Sequence, residues 1–396
     1  MGSQAAASLK GSTRLGSYLR KLRSGYGYSL RRVEERARAE GGEIDNSQLS
    51  RYEKGICYPS FDKLRVLASV FNVSIQSFSD VVDLEGFEEL RPDTDDPREL
   101  MDQGNAAMKG GEHGRAFACY EQAIDALLEN ANDAEARRMI GHARVSQAGA
   151  LTRLGKLSLA EQELRSALRT SIDLDPMTRV RALLSLANIH ADLGDTMLSE
   201  IEAEKASTLA RNNNLDRLAA MASHTLARVL AVQGEFESAV ESYRGAAALY
   251  AGCGEDFEAL RVRISIGTCF VDLGKHREGV RMLRTALSEA KSHGHRRLQA
   301  LAWSHLGQAF YRHDDPKRAR GCFREADGLA LYNGERQGDI LFLSAYYQWR
   351  MAESSDNPTR EKIAFGRLKA LRSEIERKFP EVDAFDGYLE RGCRHA

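Results

Sequence analysis

Alanine recurs at Ala123, Ala167, Ala206, Ala246, Ala286 and Ala326, at spacings of 44, 39, 40, 40 and 40 residues. A fixed period in this range is the signature of a stack of like units, each of which buries its apolar face only against its neighbours. Twelve residues before each alanine stands a turn position: Gly111, Gly155, Gly194, Gly234, Gly274 and Asp314. Small residues lie seven before it (Gly104, Ala148, Ala187, Ala227, Gly267, Gly307) and five after it (Ala116, Ala160, Ser199, Ala239, Gly279, Ala319). Small side chains on two consecutive helices let their backbones approach, and a glycine between them ends the first. Each unit therefore reads as a helical hairpin, and most of the chain as an all-α solenoid.

These offsets resemble the tetratricopeptide repeat, which carries small residues at its eighth, twentieth and twenty-seventh positions and glycine at its fifteenth. The likeness runs from about residue 97 to about 332. A weaker seventh pair follows, Glu335 to Ala352 and then Thr359 to Lys378, within a repeat domain set at 97–379. The resemblance implies a right-handed α-solenoid of six to seven hairpins. The period is nearer 40 than the usual 34, so the helices should be longer. Residues 380–396 are expected to form a capping segment.

Charge is distributed unevenly over the 396 residues, whose formal net charge is −1. Residues 1–39 hold nine Lys/Arg against two acidic residues, whereas residues 81–100 hold eight acidic residues against two arginines. A basic head followed by an acidic linker (81–96) points to a polyanionic partner for the head. Six cysteines form no Cys-x-x-Cys pair, which favours reduced thiols and a cytoplasmic protein. No apolar run approaches the roughly 20 residues that span a bilayer, and residues 1–13 read as a disordered leader without a secretion signal.

Residues 14–80 read as four or five short helices: Arg14 to Arg23, Leu30 to Ala39 capped by Ser29, Gln48 to Lys54 capped by Asn46 or Ser47, Phe61 to Phe71, and a fifth after Ile75. Leu49-Ser50-Arg51-Tyr52-Glu53-Lys54-Gly55, then Tyr58-Pro59-Ser60, then Leu64 through Leu67-Ala68 to Phe71-Asn72-Val73-Ser74, resembles the Xre/Cro-type helix-turn-helix of phage repressors. Two departures concern the register on DNA: Leu30 stands where a phosphate-clamping glutamine is usual, and Gly42-Glu43-Ile44-Asp45 lengthens the turn before the recognition helix. A helix entering the major groove needs compact polar residues at its start and a long donor one turn on. Ser47, Gln48 and Arg51 meet that need as base contacts, since glutamine pairs with adenine and arginine with guanine edges. Arg20, Lys21, Arg23, Arg31, Arg32 and Lys54 are the candidates for phosphate contact.

Six residues before each turn position runs a further column, with Asn105, Asn188, Arg228, Thr268 and Gln308 among its members. In tetratricopeptide arrays this position faces the concave surface. With His224 one turn earlier and Arg312 one turn later, it makes a groove suited to an extended peptide, whose backbone amides pair with amides. A Cro-type head on such an array is similar to the peptide-pheromone regulators of Gram-positive bacteria. That resemblance implies a homodimer that binds operator DNA and senses a short peptide. A second reading is a scaffold whose repeats hold a protein partner, such as an adaptor, sigma factor or toxin, while the head tethers it to DNA. No phosphate-loop, dinucleotide or zinc-protease spacing is present, so neither an enzyme nor a cofactor or metal is expected.

Overall fold

A computed structural model describes residues 11–129, 131–169, 174–332, 335–354, 358–373, 375 and 379–393; residues 1–10 of the expected leader lie outside them. The fold is all-α, with one small β pair. It divides into two compact units, residues 1–182 and 183–396.

The first unit opens with α1 (Thr13–Gly25), α2 (Leu30–Ala39), α3 (Asn46–Glu53), α4 (Phe61–Phe71) and α5 (Gln76–Asp83) around Leu19, Val33, Leu49, Leu67, Phe71 and Phe78. Ser29 caps α2 as expected, its side chain accepting from Arg32 N at 3.1 Å. The cap of α3 is neither Asn46 nor Ser47. Asp45 Oδ1 accepts from Gln48 N at 2.7 Å, which makes Asn46 and Ser47 the first helical residues. A carboxylate there also suits the positive end of the helix dipole.

The acidic segment after α5 is not a bare connector. Leu84–Leu90 forms a 3-10 helix, and several carboxylates here have partners within the unit. Lys156 bridges Asp80 (3.0 Å) and Asp83 (2.5 Å). Ser12 donates to Glu85, and Arg14 pairs with Glu88 (3.3 Å) and Glu121. Two helical hairpins follow, α6 (Pro97–Lys109) with α7 (His113–Leu128) and α8 (Ala134–Arg153) with α9 (Leu157–Arg169). The head sits directly on them. Lys21 Nζ donates to Glu163 at 2.8 Å, and Tyr18 shares hydrogen bonds with Gln162.

Helix α10 (Pro176–Asp192) straddles the division between the units. In the second unit come α11 (Thr196–Asn212), α12 (Asp216–Gln233), α13 (Phe236–Gly252), α14 (Asp256–Asp272), α15 (His276–Ser292), α16 (Arg296–Arg312) and α17 (Pro316–Ala330). A two-residue antiparallel pair, β1 (Leu331–Tyr332) with β2 (Glu335–Arg336), then precedes α18 (Gly338–Glu353), α19 (Pro358–Arg372) and α20 (Pro380–Cys393). Trp349, Phe342 and Phe385 are buried where α18, α19 and α20 meet.

The small-residue columns explain the hairpins. A Cβ placed on Gly104 would stand 2.5 Å from Tyr120, one on Gly267 2.9 Å from Leu283, and one on Gly307 2.6 Å from Phe323. In each case the knob lies sixteen residues beyond the hole, across the turn. The turn column is uniformly left-handed, with φ between 74° and 86° at Gly111, Gly155, Gly194, Gly234 and Gly274, and 55° at Asp314. A second left-handed column, Asn214, Gly254 and Gly294, closes the second helix of successive units at the same period.

Two expectations test this architecture. Ala246 is fully buried at a helix crossing, so Ala246→Leu overpacks it and should cost ~1–3 kcal/mol, read as a lower melting temperature; an unshifted melt would show that the site is not close-packed. His305 has a buried Nδ1 without a hydrogen-bond partner, and burial pulls its pKa down to about 4. The fold therefore favours the neutral ring, and stability present above an unfolded value near ~6.5 is lost as pH falls through 4. His276, depressed by burial and by His313, acts in the same direction. Melting temperature should drop across that window, and His305→Gln should flatten the drop; an equally steep drop in the variant would clear His305 of the role.

Candidate nucleic-acid interface and ligand groove

The recognition helix α3 is fixed from below by Leu49, Tyr52 and Glu53, which are buried. Glu53 is the ionic part of that anchor. Arg23 of α1 grips it with two hydrogen bonds (2.6 and 2.9 Å) and also donates to Tyr28 O at 3.0 Å. Those bonds to Glu53 hold the Arg23 guanidinium above its usual pKa. Arg20 adds a longer contact to the same carboxylate, 3.7 Å. A two-pronged arginine–carboxylate pair fixes direction as well as distance, so α1 sets the angle at which α3 leaves the domain.

What α3 turns outward is Ser47 and Arg51, both exposed, with Gln48 half-buried. Arg51 has no partner among the described residues. Gln48 does: Lys63 Nζ, from the first turn of α4, donates to its Oε1 at 2.8 Å. That contact leaves the amide nitrogen of Gln48 as its available donor.

The six phosphate candidates fall into two groups. Arg31 and Arg32 are exposed on α2, sharing Glu35 at 3.7 and 3.0 Å, and Lys54 is exposed at the end of α3. Arg23 is held in the Glu53 pair, Arg20 reaches toward the same carboxylate, and Lys21 is bound to Glu163 of α9. Sequence position could not separate these groups, because the partner of Lys21 lies 142 residues away.

The column expected to line a groove is brought together in the second unit as a set of rungs. Arg228 Nη2 donates to Asn188 Oδ1 at 2.8 Å, forty residues away. Arg312 pairs with Asp272, also forty residues away, and Arg261 donates to Nδ1 of His224 at 3.2 Å. Thr268 turns its hydroxyl back to Ile264 O at 3.2 Å. Gln308 is buried. Asn105 belongs to the first unit, where Tyr120 Oη donates to its Oδ1 at 2.9 Å. Two side chains on this face had been missed. Gln348 extends the amide column into the seventh hairpin, donating to Asp327 and Ser344 at 3.1 Å each; its spacing of forty from Gln308 was a readable signal. Arg261 had none, since it lies two turns before Thr268 on α14.

The rungs have a simple chemical meaning. Each is a polar pair on a half-exposed face, so a ligand amide or carboxylate can replace one partner without leaving a buried group unsatisfied. No group of three or more metal-ligating side chains exists among the described residues, and no helix there is long and apolar enough to cross a membrane.

The chain matches the Helix-turn-helix family over residues 19–78 and the Tetratricopeptide repeat family over residues 265–335. It is therefore a protein with an Xre-type helix-turn-helix head and tetratricopeptide repeats. Both families are recognition modules, regulatory and scaffolding, rather than enzymes. No curated protein sequence matches the chain. Among solved structures, the apo form of RapI is similar at 12% identity and TM-score 0.58, over 71% of this chain and 98% of that one. NprR in complex with its cognate peptide NprX is similar at 13% identity and TM-score 0.50, over 74% and 82%. PlcR from Bacillus thuringiensis aligns over 85% and 98% at 15% identity, with a TM-score of 0.33. At these identities RapI and NprR establish a shared fold.

Arg51 carries the sharpest expectation of this surface. If it reads a guanine, Arg51→Ala should lose ~1–3 kcal/mol of discrimination at one base pair. Affinity measured against a panel of single-base operator variants decides the matter: a uniform loss on every sequence would reduce Arg51 to a phosphate contact.

Proposed function

We propose that this protein is a sequence-specific double-stranded DNA-binding transcriptional regulator, cytoplasmic and homodimeric. Its repeat domain senses a short peptide in the groove formed by the first helices of the hairpins. The DNA reading rests on α3, which presents Ser47 and an Arg51 without a partner among the described residues, above an anchored base. Its ligand reading rests on one observation above others: the rung Asn188–Arg228 offers an amide and a guanidinium that can exchange each other for a peptide backbone. The NprR structure, which shares the repeat fold, was solved with its cognate peptide. Binding shifts DNA affinity only if the peptide prefers one arrangement of the hairpins to another.

The scaffold reading draws on the same rungs, since a protein segment can occupy them as a free peptide does. Fluorescence anisotropy on the protein's own upstream DNA separates the two, with and without a peptide fraction from spent culture medium. A change in affinity supports the sensor; tight binding indifferent to the fraction, with a stoichiometric protein partner in pull-downs, supports the scaffold. Failure of both the whole protein and its first unit to bind any genomic DNA would remove the regulatory reading. Arg228→Ala should keep basal DNA binding and lose the response to the fraction; an unchanged response would take Arg228 out of the ligand site.

A further inference from the structure

The second helices of two hairpins in the second unit carry a concentration of positive charge. Helix α15 carries Arg277, Arg281 and Arg284, and α17 carries Lys317, Arg320 and Arg324, all exposed. None of the six has a carboxylate partner among the described residues. Like charges three and four residues apart on a helix repel and weaken it. The repeat does not demand all of them: Arg284 and Arg324 continue a column that includes Arg244, but Glu237 and Glu241 of α13 stand where Arg277 and Arg281 stand on α15. Nor do nearby acids offset them. Glu289 is turned to Arg263 (2.7 Å), Asp327 to Arg367 (2.9 Å) and Asp315 to Arg318 (3.4 Å), which leaves Glu325 on the rim and Glu278 between Arg277 and Arg281, two carboxylates against six cations.

Between α15 and α17 opens a cleft of about 840 Å³ with Trp303, Leu306 and Phe310 of α16 at its floor. Gly321 and Gly328 of α17 line it, two turns apart, and a Cβ at either would meet nothing within 4 Å. Neither glycine has a positive φ. Glycine inside a helix is less favourable than alanine, and here no turn or close packing calls for it; its effect is to keep the cleft open. Lys291 stands over the Trp303 ring at 5.4 Å, so even the aromatic floor has a cationic edge.

We propose that this cleft docks an acidic polypeptide segment bearing aromatic or large aliphatic side chains. The carboxylates of the segment meet Arg284 and Arg324, which line the cleft, with the other four cations farther along the same two helices, and its apolar side chains enter over Trp303. Charge complementarity selects the acidic partner. The recessed apolar floor selects polypeptide over nucleic acid, whose outward face is phosphate and sugar. This site is independent of the DNA and peptide-sensing reading above, because neither α3 nor the first-helix rungs enter it.

The protein has two tryptophans, and Trp349 is buried whereas Trp303 is partly exposed, so acrylamide quenching of tryptophan emission reports on the cleft. The probe is a random copolymer of glutamate and tyrosine added to the full-length protein, with poly-glutamate and a DNA duplex of equal charge as comparisons. The copolymer should shield emission from acrylamide at lower concentration than either comparison, and Trp303→Phe should abolish the signal. Arg284→Glu with Arg324→Glu should weaken binding about tenfold or more, as expected when charges steering an acidic partner are reversed. Gly321→Ala with Gly328→Ala should raise the melting temperature yet weaken the copolymer, a combination that misfolding cannot produce. The proposal is overturned if the copolymer gives no shielding, if the arginine variant binds as tightly as the parent, or if the duplex shields Trp303 at equal or lower concentration.

Discussion

The crossing of two helices within each hairpin is the constraint from which the architecture follows. A residue with little or no side chain on the first helix receives a knob sixteen residues later: Tyr120 against Gly104, Leu283 against Gly267, Phe323 against Gly307. At these three crossings the hole is a glycine, and any side chain there would collide with the knob. Interiors packed this closely do not deform by degrees, so each crossing fixes the angle of its hairpin. With those faces committed, the remaining faces of the helices are free to differ from unit to unit. The rungs of the first helices and the basic rows of the second occupy that freedom.

In the head, charge that looks like a single basic surface in the sequence is divided by the fold. Arg14, Lys21 and Arg23 are held in ion pairs with Glu88, Glu121, Glu163 and Glu53. The acidic stretch that follows the head is drawn on in the same way, by Ser12, Arg14 and Lys156. Part of the basic head and of the acidic linker is therefore engaged within the first unit. Of the candidate phosphate contacts, Arg31, Arg32 and Lys54 stay exposed outside those pairs.

The hairpins could be read from the sequence because their determinants are local and periodic. Turn glycines and small residues recur at fixed offsets, and the structure keeps them. Asp314 kept its place in the turn column because an aspartate tolerates the left-handed backbone that glycine adopts freely. Partnerships at long range were not legible. Nothing in the order of residues links Lys21 to Glu163 or Lys63 to Gln48, since those pairs arise from how finished helices lie together. The cap of α3 was misplaced for a subtler reason: Asp45, Asn46 and Ser47 are all competent caps, and only the backbone decides among them. The basic rows of α15 and α17 were visible as residues but not as a cleft, which exists only because α16 floors the gap between them.

Glu163 holds two cations, Lys21 from the head and Arg144 from α8 at 3.2 Å. A carboxylate with two partners can surrender one without being stranded, so Lys21 is tethered by an exchangeable bond rather than a structural one. Its transfer to a DNA phosphate would trade one ion pair for another, whereas Lys54 would displace only condensed counterions. If both lysines met phosphates, as proposed, they would couple differently to the ionic atmosphere of the duplex: Lys54 would steepen the dependence of binding on salt, and Lys21, already neutralised at home, would temper it.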